Sequence, residues 1–340
     1  MPAPTTSSIV ALPPADISNA LGARVLASAP IPVTLKARSR HSLAFLRPKD
    51  NEIYCKLNRG RLHVVFDDPW KVRHIQVAVL IAKAVALLGL RTLPPFFVNT
   101  GDKPGQRAPR SITKFAACSV DGYAEVAAPD FIFQGWPEAG FEDYDAKTAA
   151  LAGASGSSPR DDRAGWVGRC DNQPRADLLA TALRCPQAVE VVDTVAAYNV
   201  RTQSYLRPLI PMEEQASRYR FLIDVEGFGY SGRLKLLLHA GRVVLLLDRP
   251  HREFFMGAME PFRHYVPVAR NASDLVERIE WLRANPAREA EIVREGQHFA
   301  RTRLTLQAAV EAWAGLLESH VAARGRLPSG LEHLQRPAIW

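Results

Sequence analysis

Cysteine is sparse: Cys55, Cys118, Cys170 and Cys185 lie far apart, with no C-x-x-C spacing. That excludes a zinc site of ordinary ligand spacing and a dense disulfide framework. Long apolar runs are missing too. The most apolar window, VAVLIAKAVALLGL (Val77–Leu90), falls short of the ~20 residues a membrane span requires and carries Lys83, so it reads as a buried helix. The opening MPAPTTSSIVALPPADIS lacks a basic start and a continuous apolar core, and the closing RPAIW is not a retention signal. The expected location is therefore cytoplasmic. Runs of one charge are absent as well. Lys and Arg total 43 against 35 Asp and Glu, a net charge of +8, but the excess is dispersed. It favours anionic partners in general, and one reading is peripheral contact with the inner face of an anionic membrane. No paired Cys/His or aromatic RNP motif accompanies it, so nucleic acid is not an expected partner.

What is present is an ordinary globular composition, 47% hydrophobic and 23% charged, in 340 residues. That length suits two domains. The first ~30 residues, rich in Pro, Ala and Ser, read as a loose tail. EIYCKLNRGRLHVVFDD (Glu52–Asp68) reads as two strands about a turn at Asn58-Arg59-Gly60. FFVN (Phe96–Asn99) is a short buried strand that enters the turn-rich TGDKPGQRAPR. ALAGASGSSPRDDRAG (Ala150–Gly165) has small residues without periodicity and reads as a connection between lobes. After it, helix and strand patterns alternate: RADLLATALRC, AVEVVDTVA, YRFLIDV, a helix over Ser231–Ala240 and a strand over Arg242–Asp248. The order is that of βαβ units in a parallel, doubly wound sheet. Asn285-Pro286 opens a late helix, and Thr305–Arg324 forms a long amphipathic one.

RYRFLIDVEGFGYSGRLKLLLHAGRVVLLLD (Arg218–Asp248) contains Gly227-x-Gly229-x-x-Gly232 between a strand and an expected helix. A dinucleotide site requires an acid at the end of the next strand for ribose; the position of Asp248 does not exclude it, but the motif lies in the last third of the chain, whereas such a fingerprint commonly opens a domain. Arg233 and Lys235 point elsewhere. A cation in the first turn of a helix is unfavourable by ~0.3–1 kcal/mol unless an anion is shared with it. The loop N–H groups with Ser231 and Arg233 make a candidate diphosphate cradle.

The segment Arg218–Phe255, followed by PFRHYVPV and SDLVERIEWLRANPAREAEIVREGQHFARTRLT, resembles glycosyltransferase family 90 over Arg218–Thr305, and more thinly over Glu52–Arg175. That family includes protein O-glucosyltransferases and O-xylosyltransferases, capsule xylosyltransferases and lipopolysaccharide-modifying enzymes. The resemblance implies a GT-B architecture: two Rossmann-like lobes, the active site between them, a UDP-sugar donor, inversion at the anomeric carbon, and no metal or other cofactor. It places Phe228, Gly229, Tyr230, Ser231, Gly232 and Arg233 on the donor diphosphate, with Arg233 neutralising the UDP leaving group. A second donor block matches WVGRCDNQPRADLL, bringing in Gly168, Arg169 and Arg175. There the sequence departs from the pattern, with Val167 where arginine is usual and Arg169 where a small or polar residue is usual.

An inverting transfer needs one general base to take the acceptor hydroxyl's proton. PPFFVNTGDKPGQ matches the family block that carries it, which makes Asp102 the implied base, with Lys103 to keep its carboxylate ionised. Read without the resemblance, Asp102 is an Asp-Lys-Pro turn residue. Asp143-x-Asp145 reads as a solvated acidic loop, Phe133 and Trp136 as core or sugar-stacking aromatics, and His251, His264 and His298 as structural. Glu253 is a further candidate for the ribose. The expected division is a tail over 1–35, a base- and acceptor-bearing lobe over 36–155, a nucleotide-sugar lobe over 156–310, and a C-terminal helix and tail over 311–340. The implied activity moves glucose or xylose from a UDP-sugar to a hydroxyl of a protein, glycan or bacterial lipopolysaccharide-type acceptor. Two other readings stay open: an NAD-dependent oxidoreductase using the glycine turn, and a non-catalytic sugar- or nucleotide-binding protein.

Overall fold

The structure is a computed structural model that describes residues 14–37, 51–66, 71–105, 112–154, 156, 158–199, 204–205 and 210–324. Two sheets organise it. The first takes β1 (Val33–Ala37), β2 (Glu52–Asn58), β3 (Arg61–Phe66), β4 (Leu93–Asn99), β5 (Lys114–Ala116) and β6 (Val126–Ala127), in the order β1-β3-β2-β4-β5-β6. It is mixed: β2 runs antiparallel to β3 and β4, while β1–β3, β4–β5 and β5–β6 are parallel. Helix α1 (Pro14–Ala27) lies on α2 (Val72–Leu87) through Leu21, Val25, Ile75 and Val79. The expected N-terminal tail is thus a docked helix from residue 14 onward; residues 1–13 lie outside the described residues. The two helices approach closely at Gly22, where a Cβ would stand 2.8 Å from Ile75.

Helix α3 (Tyr144–Ala154) leads into the second sheet, built from β7 (Asp161–Gly168), β8 (Val189–Asp193), β11 (Tyr219–Asp224), β12 (Val243–Leu247) and β13 (Val266–Val268). Between β8 and β11 come a small antiparallel pair, β9 (Tyr198–Asn199) with β10 (Ser204–Tyr205), and helix α5 (Met212–Arg218); α4 (Gln173–Arg184) joins β7 to β8. All five strands are parallel, in the order β13-β12-β11-β7-β8. The chain therefore starts in mid-sheet at β7, winds outward to β8, then returns to β11 and winds the other way. The gap between the C-terminal ends of β7 and β11 is the switch point where open α/β sheets bind ligands.

The connection expected over Ala150–Gly165 is shorter than its composition implied. Its first residues finish α3 and its last are β7. At its end Gly165 faces the ring of Tyr219, where a Cβ would lie 2.1 Å away. The helix expected over Ser231–Ala240 is a single turn, α6 (Leu234–Leu237). Helices α7 (Leu275–Ala284), α8 (Pro286–Arg303) and α9 (Leu306–Arg324) follow. Asn285 precedes α8 as expected, but its side chain bonds back to Trp281 O at 2.8 Å instead of capping.

The strands of the second sheet alternate faces, as period two requires. Phe221, Ile223, Val243, Leu245 and Leu247 join a core with α7 and α8, while Leu222, Val244 and Leu246 face the opposite side. That second face is continuous with the core of the first lobe, through α6, Phe255, Phe131 to Phe133 and α9. Helix α9 crosses back onto the first lobe: buried Trp313 donates to Pro129 O at 3.0 Å, and His320 reaches Pro94 O at 3.1 Å. Among the described residues no helix is long and apolar enough to cross a membrane.

Candidate active site

The glycine-rich loop leaves the C-terminal end of β11 at the switch point. Beneath it, Asp224 is fully buried, accepts from Ser231 Oγ at 2.6 Å and is paired with buried Arg249 at the end of β12. Two residues on, Glu226 binds His251 Nδ1 at 2.9 Å and Arg270 at 2.5 Å. Burial works to raise the Glu226 carboxyl, but those two partners win and hold it below its ordinary value. A charged floor of this kind fixes the loop from below. Of these residues the sequence had singled out Ser231 for the loop and His251 as structural, and not Asp224, Glu226, Arg249 or Arg270. Their signal was available: opposite charges, Asp224 and Arg249, end adjacent apolar strands.

From the β7 side, Arg175 donates to Glu226 O at 2.9 Å and Arg169 O at 3.0 Å, and Asn172 Nδ2 donates to Gly227 O at 2.8 Å. Arg175 and Arg233 both lie over the ring of buried Trp166, at 5.4 and 5.2 Å. Arg233 also donates to Val167 O at 2.8 Å. The structure thus brings Gly168, Arg169, Arg175 and the Phe228–Arg233 loop to one place. Burial pushes the Arg175 guanidinium below its ordinary value, against the pull of Asp171, and Arg169 adds to the lowering. A site whose cations are held under such a penalty gains by taking an anion. Among the described residues the N–H groups of Gly229, Ser231 and Gly232 have no acceptor, nor has the buried Trp166 Nε1. Donors of this kind converging on a loop form an anion-binding concavity.

Several expectations change here. With α6 reduced to one turn, the helix dipole adds little, and the loop N–H groups and arginines carry the cradle. The missing helix also removes the element that a dinucleotide fingerprint must open, and Asp248 is exposed and paired with Arg252 at 3.2 Å. Lys235 does not face the cleft. It is buried, bound to Asp130 at 3.1 Å and Glu253 at 2.6 Å, so Glu253 is also withdrawn from any ribose. Tyr230 turns its ring inward onto Ala117 and Cys118, and Lys235 lies 5.1 Å from its centroid. Only its backbone faces the loop. Exposed Phe228 stands at the rim, 5.9 Å from Arg169, which is itself paired with Asp171 at 2.7 Å. Asp143 caps α3 by accepting from Ala146 N at 2.8 Å, and Phe133 is core. Among the described residues no three metal-ligating side chains converge.

Asp102 faces this loop from the first lobe. Its turn is held by Asn99, which accepts from Gly101 N at 2.9 Å and donates to Lys103 O at 3.0 Å. Gly105 N is held by Glu125 at 2.8 Å, within a buried cluster where Lys114 binds Glu52 and Glu125. The two sites meet at the backbone: Tyr230 N donates to Asp102 O at 3.1 Å. A Cβ on Gly229 would lie 1.6 Å from that same oxygen, and one on Gly232 would lie 2.5 Å from Ile132. Two of the three motif glycines therefore serve the meeting of the lobes. The carboxylate of Asp102 is half exposed, and the cation within hydrogen-bond reach is Arg73 at 3.1 Å, in place of the expected Lys103.

The family profile described as Glycosyl transferase family 90 matches residues 88–323. Human protein O-glucosyltransferase 3 is 27% identical over 217 residues, covering 62% of this chain and 43% of its own length. Zebrafish (Danio rerio) protein O-glucosyltransferase 2 is 23% identical over 310 residues, covering 87% of this chain and 59% of its own. The chain thus spans about half the length of these relatives. Among solved structures, Anabaena Alr3699/HepE in complex with UDP and glucose is 15% identical, with a TM-score of 0.36 over 51% of this chain and 52% of that one.

Proposed function

The chain belongs to glycosyl transferase family 90, and on that premise we propose that it is an inverting transferase that moves glucose or xylose from a UDP-sugar to an acceptor hydroxyl. Asp102 is the general base. Arg233 and Arg175, with the N–H groups of Gly229, Ser231 and Gly232, take the diphosphate and stabilise UDP as it leaves, without a metal ion or other cofactor. Arg169 supplies the charge that Val167 does not. The observation that supports this reading is the 3.1 Å bond between Tyr230 N and Asp102 O, which holds residue 102 beside the loop at the switch point. A base must sit within reach of the hydroxyl attacking the sugar, and the sugar hangs from the diphosphate. We assign the acceptor to the surface-glycan or lipopolysaccharide class, on the ground that a net charge of +8 favours an anionic acceptor or membrane surface.

The test is a thermal-shift titration with UDP, UDP-glucose, UDP-xylose and NAD, each with and without EDTA. Ligand at ~100 times its dissociation constant adds ~2.7 kcal/mol, a shift of several degrees. The expected outcome is a UDP-selective shift, insensitive to EDTA, that weakens roughly 10- to 100-fold in apparent affinity in Arg233→Ala, the loss of a charge-assisted bond. A shift with NAD alone would overturn the assignment.

A further inference from the structure

Asp102 as base leaves open what orients its carboxylate, and we propose that Arg73 is the positioning residue for it. This rests on the general-base reading above. Arg73 stands in the first turn of α2, a helix with no acidic residue there and no side-chain cap. A cation at the positive end of a 16-residue helix is locally unfavourable, so nothing within α2 accounts for it. Its compensation comes from outside the helix. The guanidinium reaches across to Asp102 Oδ1 at 3.1 Å, its plane held by the ring of Phe131 at 4.4 Å and by Glu138 at 3.9 Å. Residue 102 is therefore gripped at both ends. Its carbonyl is fixed by Tyr230 N and its carboxylate by Arg73. The side chain of Arg73 is 32% exposed and that of Asp102 49%, so a hydroxyl can approach the second carboxylate oxygen while Arg73 holds the first.

An arginine stacked on an aromatic ring and aimed at one carboxylate oxygen restricts the direction in which the other points. Burial works against the Arg73 charge, yet Asp102, Tyr230 and Glu138 keep the guanidinium above its ordinary value. The other ionisable groups near Asp102 are Lys103 on its own turn, Cys118, whose Sγ lies 3.7 Å from Asp102 O, and Tyr230 on the donor loop. Of the four residues Arg73, Lys103, Cys118 and Tyr230, Arg73 makes the bond to the carboxylate.

The experiment uses the full chain and follows release of UDP from UDP-glucose or UDP-xylose with water as acceptor, across donor concentration, for wild type, Arg73→Gln, Arg73→Lys and Asp102→Asn. For Arg73→Gln the expected result is a turnover rate reduced roughly tenfold or more, with the affinity for UDP unchanged. The loss falls on kcat and leaves KM for the UDP-sugar unchanged, because Arg73 touches Asp102 and not the donor loop. Arg73→Lys keeps the charge without the planar fork and restores only part of the turnover. A loss that falls on KM instead of kcat, or a loss tracking a lower Tm, overturns the proposal. If Asp102→Asn is inactive while Arg73→Gln behaves as wild type, only the role of Arg73 fails. If Asp102→Asn keeps full activity, the general-base reading fails and takes this inference with it.

Discussion

Gly229 illustrates how one missing atom ties sequence to chemistry. No side chain fits there, because Asp102 O occupies the place of its Cβ. Gly229→Ala is expected to cost about 3 kcal/mol, the upper range for a forced contact in a packed region, or else to push the loop off the first lobe. Thermal denaturation with and without UDP separates these outcomes: lower Tm with UDP binding kept, or near-normal Tm with binding lost. The sequence made the glycines visible but not their reason, since the partner oxygen lies more than a hundred residues away. The role proposed for Asp102 comes from the resemblance alone; composition and spacing made it a turn residue. Arg73 was invisible for a similar reason. Lys103 was the adjacent cation, whereas the fold brings in one that lies 29 positions earlier.

Elements carry the next level of the argument. Strands β2, β3, β11 and β12 were readable from alternating or continuous apolar residues and tight turns. Helix α1 and the end of α3 were not, because their small residues look like the composition of a loop. Turn α6 was overread: its leucines suit a helix, but buried Lys235 binds it to Asp130 of the first lobe and to Glu253. Two carboxylates share one ammonium there. Burial first, opposed by Lys235 and assisted by Asp130, pushes the Glu253 carboxyl from 4.5 up to about 7. A raised folded-state value means that the folded protein keeps a proton which the unfolded chain releases. Stability from this group is therefore full below about pH 4.5 and lost as pH rises through about 7. The slope is on the order of 1 kcal/mol per pH unit. Glu253→Gln is expected to flatten Tm between those limits. An unchanged slope in the variant would place the titration elsewhere.

At the scale of the whole molecule, two sheets do not make two independent folding units. One apolar core runs from the first lobe under the second sheet, and α9 closes the first lobe from the far end of the chain. Thermal unfolding is therefore expected as a single transition, lowered by about 3–5 kcal/mol in Trp313→Ala, whose cavity lies in that shared core. Calorimetry showing two separated transitions, with only one moved by the mutation, would contradict this. The two-lobed plan was legible in the alternation of elements. The return of α9 was not, because an amphipathic pattern marks a buried face without naming the surface that covers it.

The meeting of Tyr230 N and Gly229 with Asp102 O has a consequence for inheritance. Positions 229 and 102 lie in different lobes, yet they behave as a single trait: a bulkier residue at one is acceptable only with a withdrawn backbone at the other. The lobes are then poor currency for recombination. A chimera joined in the short crossing between α3 and β7 would inherit a loop from one parent and its seat from the other. Relatives with the same two-lobed plan can be expected to exchange whole chains more readily than halves.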